Sequence, residues 1–128
     1  MVTVVKTALA YTLPVFAVAF LLGALRVMLI APQIGPLLAV ALEVPIVLGL
    51  SWAVAGRVLA HWPVSRAGRS GMALVSFAVL MLLELLTATA FGQTSAQFLT
   101  AMTTPAGALG LAGQIGFALI PLVRQARG

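Results

Sequence analysis

Four apolar stretches, approximately 7–31, 36–60, 71–92 and 105–123, dominate the sequence. Each is close to or above the roughly 20 residues that an α-helix needs to cross the hydrocarbon core of a bilayer. Strands would be shorter and would alternate in polarity. With 62% hydrophobic and only 7% charged residues, and a mean hydropathy of +1.19, the chain lies far from soluble usage, where about a quarter of residues are charged. A length of 128 residues accommodates four spans and short connections, with no room for a soluble domain. The expectation is an all-α membrane protein: one membrane domain over 1–128, built as an antiparallel bundle of four transmembrane helices.

The connections set the direction of the spans. Pro32, Gln33, Ile34, Gly35 and Pro36 make the first, and a proline at each end with a glycine between ends one helix and starts the next at once. Helices 1 and 2 then form a tight hairpin. Around the second connection stand Arg57, His61, Trp62, Pro63, Ser65, Arg66 and Arg69, whereas the first and third carry no charge. With Lys6 ahead of helix 1 and Arg124 and Arg127 after helix 4, four crossings put these basic residues on one side. The positive-inside rule makes that side cytoplasmic. Both termini are expected inside, in a bacterial inner (plasma) membrane. Trp62 and Tyr11 then fall at the cytoplasmic interface, where amphipathic rings settle.

The third connection, 93–104, is polar and uncharged, with Phe98, Leu99 and Met102 among Gln, Ser and Thr. It reads as an outer loop with a short interfacial turn, the alternative being a re-entrant element lining a pathway. Thr104 before Pro105 marks a helix start, a hydroxyl cap followed by proline in the first turn. Helix 4 then carries Gly107, Gly110, Gly113 and Gly116, which leave one side with little side chain and permit close approach of a helix from this chain or another. The row drifts about 60° per step on a 3.6-residue turn, so Gly110 and Gly113 are expected nearest the partner.

Composition removes several function classes. A chain without cysteine has no disulfides, thiolate nucleophiles or iron–sulfur ligands. The net charge of +5 is scattered over tails and one loop instead of forming a stripe, which points to orientation and anionic lipid, not nucleic acid. Lys6 and the run containing Ala17, Val18 and Ala19 outline a signal peptide, but the apolar run continues past that site to Ala31, and an uncleaved span is expected.

Three ionisable residues lie inside spans: Arg26, Glu43 and Glu84. Each costs roughly 2.5–3.5 kcal/mol at mid-span on insertion scales, so each needs a compensating partner. At 1.5 Å rise per residue, Arg26 lies about 7 Å below the outer end of its helix, Glu43 about 10 Å, Glu84 about 12 Å and Gln114 of helix 4 about 14 Å. All four helices thus offer one polar group to nearly the same slice. Arg26 and Glu43 are almost equally far from the hairpin centre near Ile34 and are expected to pair through the guanidinium fork. Two carboxylates against one guanidinium leave a surplus charge, and Glu84 is expected to keep or share a proton. Such a buried Arg–Glu–Glu cluster serves either as a latch between helices or as a transport site. Thr87 and Thr89 could line a path or bond back to their own helix. Pro45 frees the carbonyl of Ala41 near the cluster.

Other chemistry is not expected. His61, the sole histidine, sits by the basic loop, which excludes a bis-histidine haem. There is no nucleophile–base pair, phosphate-binding glycine loop or metal-spaced set, so no enzyme, cofactor or metal is expected.

The stretch Phe20-Leu21-Leu22-Gly23-Ala24-Leu25-Arg26-Val27, then Ala31-Pro32-Gln33-Ile34-Gly35, Leu42-Glu43-Val44-Pro45 and Thr104-Pro105-Ala106-Gly107-Ala108-Leu109-Gly110 resemble uncharacterised small four-helix bacterial inner-membrane proteins. The resemblance implies the architecture and no activity. Two other groups are similar in size but differ at the residues that matter: small multidrug-resistance exporters carry a glutamate in helix 1 where this chain has Arg26, and fluoride channels need an asparagine-rich pore pattern whereas this chain has no asparagine. The expected role is an accessory or assembly subunit acting through helix–helix contacts. Its partners would be the lipid bilayer and another membrane protein or a second copy. The alternative is a small proton-coupled transporter or channel, homo-oligomeric, using Arg26, Glu43 and Glu84.

Overall fold

A single continuous helical run opens the computed structural model, which describes residues 2–124; Arg127, used above for orientation, lies outside them. Helix α1 (Val2–Leu25) passes through a π-helical stretch (Arg26–Ile30) into the short α2 (Ala31–Ile34). Then come α3 (Pro36–His61), α4 (Arg66–Ala90), α5 (Ser95–Ala101) and α6 (Pro105–Val123), with no strand among the described residues. Four segments are long and apolar enough to cross a membrane: Thr3–Ile34, Pro36–His61, Arg66–Ala90 and Pro105–Val123.

The helix limits have local causes. The first run does not stop at Ala31, because the ladder widens to admit the proline: the Ala31 N–H donates to the Arg26 carbonyl, five residues back, and Pro32 has no N–H to offer. Gly35, at φ 90° and ψ 157°, makes the break that the expected hairpin needs, in a conformation open to glycine. Helix α4 starts at Arg66 and not at Gly71, because Ser65 Oγ caps it by accepting from Gly68 N at 3.1 Å. Gly68 and Gly71 are helical residues against which Val4 of α1 packs. The third connection holds a seven-residue helix, α5, opened by a full capping box between Thr94 and Gln97. Helix α6 has the expected limits, with Thr104 Oγ1 accepting from Gly107 N at 3.0 Å.

Each long helix packs on two others, α1 on α3 and α4, and α6 on α3 and α4, so α1 and α6 face each other diagonally. The middle is filled by Tyr11, whose ring stacks on Phe117 at 4.4 Å and 5°, together with Ala8, Val15, Leu59, Met72 and Leu80. Tyr11 is therefore a core residue, its ring turned into the bundle and not towards lipid. Packing is concentrated at the end that carries Lys6, Trp62 and Arg124. Beyond Val15 no described residue is fully buried until Ala39, and none between Leu80 and Phe117.

Candidate functional site

The polar groups expected in one slice form two pairs. Arg26 Nη1 donates to Glu43 Oε2 at 2.7 Å, tying the start of the π-helical stretch to α3. Gln114 Nε2 donates to Glu84 Oε2, tying α6 to α4. Among the described residues no hydrogen bond or ion pair joins Glu84 to Arg26 or Glu43, although it remains within electrostatic reach of both. The expected buried Arg–Glu–Glu cluster is thus corrected to an ion pair and a separate amide–carboxyl pair. The reason is geometric: the π-helical stretch that carries Arg26 packs on α3, which brings the guanidinium to Glu43, whereas Glu84 on α4 meets Gln114 across the α4–α6 contact. Nor is the ion pair buried, since the side chains of Arg26 and Glu43 are 28% and 17% exposed. Glu43 Oε1 is covered and has no hydrogen-bond partner.

The surroundings are apolar. Val27, Met28 and Leu29 on the π-helical stretch and Leu42 beside Glu43 are all exposed. Thr87 and Thr89 donate back to Leu83 and Leu86 of their own helix, at 2.8 and 3.0 Å, which leaves neither hydroxyl proton to a path.

The glycine row of α6 divides. Gly113 and Gly116 face α3, where an added Cβ would lie 3.1 Å from Val44 and 3.2 Å from Leu48, and at Gly107 it would collide with the Ala101 carbonyl. At Gly110 it would meet nothing within 4 Å. The members closest to another spanning helix are thus Gly113 and Gly116, not the expected Gly110 and Gly113, because α3 approaches the later half of α6, while Gly107 is closed off by the backbone at Ala101.

A second polar system lies in the packed end. Tyr11, fully buried, donates to the Phe117 carbonyl at 2.5 Å. Pro121, four residues on, has no N–H for that carbonyl, so the phenol meets a need that the helix itself creates. Pro121 in the sequence was the available signal. Ser51 donates to Val47 O at 2.6 Å, while Thr12 Oγ1 and Ser76 Oγ are buried without hydrogen-bond partners. At the basic end Lys6 Nζ sits 4.2 Å from the Trp62 ring centroid. Arg124 Nε donates to Trp52 O at 3.1 Å, and its guanidinium covers Gly56, while Arg69 Nη1 donates to Arg124 O at 3.2 Å. His61 is exposed and meets Trp62 edge-on.

Four long apolar helices and polar groups paired between neighbouring helices define the class of a multi-pass helical membrane protein. Comparison with protein-family models, with characterised proteins and with solved structures finds no match for this chain.

Proposed function

We propose that the protein is an accessory or assembly subunit that works through helix–helix contacts inside the bilayer. In this reading the four spans alternate in direction, with both termini on the cytoplasmic side of a bacterial inner membrane, as the basic residues around Trp62 and Lys6 favour. The observation that carries it is the partly exposed Arg26–Glu43 pair, set among exposed Val27, Met28, Leu29 and Leu42 in the half of the molecule where few residues are buried. Left against lipid tails, an intramembrane charge costs roughly 2.5–3.5 kcal/mol, which a covering protein partner would offset. Small loops leave little surface for soluble partners.

The test is photo-crosslinking from Met28 and Leu29 in native membranes. A discrete protein adduct, with another protein or a second copy, is the expected result. Adducts with lipid alone from both positions would sink the reading.

One observation favours a small proton-coupled transporter or channel instead. Glu84 is held by the neutral amide of Gln114 and not by a cation, so it can take up and release a proton without breaking an ion pair. Proton-dependent flux in liposomes that Glu84→Gln abolishes, with folding intact, would decide for that reading.

A further inference from the structure

Between α4 and α6 runs an open apolar groove of about 420 Å³, lined by Ala73, Leu74, Phe77, Ile115, Leu119 and Leu122, with Ser70 as its polar end. The groove is not a featureless lipid-facing surface, because charge is placed at one end of it. Arg66 and Arg69 stand four residues before Ser70 and Ala73, one turn nearer the basic end of α4, and residues spaced by four share a helix face. Arg66 is exposed. Arg69 holds α4 to the end of α6 through the Arg124 carbonyl, and its Nε is covered without a hydrogen-bond partner. Arginine forks suit phosphate oxygens, and the groove beyond them offers only hydrocarbon contact.

We infer that this groove is a binding site for one anionic phospholipid of the cytoplasmic leaflet, its phosphate at Arg66 and Arg69 and one acyl chain along α4 and α6. The inference rests on the reading that these helices span the bilayer with the basic end inside. Charge complementarity selects the ligand: a zwitterionic lipid would gain the same apolar contacts but lose the net attraction, and a second copy of a chain carrying net charge +5 would bring its own basic end towards Arg66.

The test uses the full chain in mild detergent, with phosphatidylglycerol and phosphatidylcholine of matched acyl chains, read by native mass spectrometry and by thermal shift. Phosphatidylglycerol should be retained and should raise the melting temperature, and phosphatidylcholine should do neither. Each arginine removed should weaken that preference about fivefold. Arg66→Gln is the cleaner variant, since Arg69 also bonds Arg124, and Arg66→Lys should keep most of the preference. Ser70→Phe should block the groove and lose the lipid with both arginines in place. Equal retention of the two lipids, an unchanged preference in Arg66→Gln, or a bound second copy in place of lipid would overturn the inference. Alkaline carbonate extraction separates the two levels: release of the chain from membranes removes the spanning reading, whereas retention without lipid preference removes the groove site alone.

Discussion

The Tyr11 hydroxyl donates to the Phe117 carbonyl across the diagonal of the helix arrangement, and that carbonyl is the one Pro121 leaves without its helical donor. A helix defect on α6 and a phenol on α1 thus complete each other. Helices α1 and α6 are each packed on α3 and α4, so this bond and the ring stack join one of the two diagonal pairs, the other being α3 and α4.

Tyr11→Phe keeps the stacked ring and removes only the donor, and should cost about 1 kcal/mol of stability. Pro121→Ala restores an N–H four residues after Phe117, so in that background the same substitution should cost much less. Thermal unfolding of the four proteins in detergent measures the coupling. Equal costs in both backgrounds would show that the two residues act independently.

The ion pair makes a different demand. Glu43→Gln strands the Arg26 guanidinium, and because both side chains are partly exposed the loss should be about 1–3 kcal/mol, below the figure for a fully buried pair. Replacing both, as Arg26→Met with Glu43→Leu, should recover most of it, since no charge is then left unpaired. Glu84→Gln keeps a hydrogen-bonding partner for Gln114 and should be mild by comparison. Chemical denaturation in detergent ranks the three; a Glu84→Gln loss as large as that of Glu43→Gln would contradict the separation into two pairs.

The glycines of α6 should not behave alike. Gly113→Leu and Gly116→Leu drive a side chain into Val44 and Leu48 and should cost about 1–3 kcal/mol by overpacking. Gly110→Ala meets open space and should be neutral or stabilising by up to about 1 kcal/mol, because glycine is a poor helix former. If the melting temperature falls as far for Gly110→Ala as for Gly113→Leu, something outside the chain packs at Gly110.

What the sequence made legible was whatever depends on local composition or on short separations. The limits of α6 follow from Thr104 and Pro105, and the Arg26–Glu43 pair follows from two charges placed symmetrically about a hairpin only 17 positions apart. The capping box at Thr94 and Gln97 was equally readable as the start of α5, but the polar run around it reads as loop. Depth along a helix placed Glu84 and Gln114 near the ion pair, yet depth carries no information about which helix each side chain faces, and that decides between one cluster and two pairs. Tyr11 near Lys6 read as interfacial for the same reason, its acceptor lying 106 positions away.

Orientation is open to a direct measurement, because a chain without native cysteine lets each single-cysteine variant report one position. Ser65 caps α4, so the probe for the basic connection belongs at exposed Ala67, and exposed Ala96 on α5 serves for the opposite connection. Both substitutions leave the capping hydroxyls of Ser65 and Thr94 in place. If the basic end is cytoplasmic, a membrane-impermeant maleimide added to intact spheroplasts should label Ala96→Cys and spare Ala67→Cys, and permeabilised cells should label both. Adding Arg57→Gln, Arg66→Gln and Arg69→Gln together removes the charge from the second connection and should give a mixed pattern, with part of the population inverted. Labelling of Ala67→Cys from outside in the otherwise unaltered chain would overturn the orientation and with it the cytoplasmic-leaflet assignment of the α4–α6 groove.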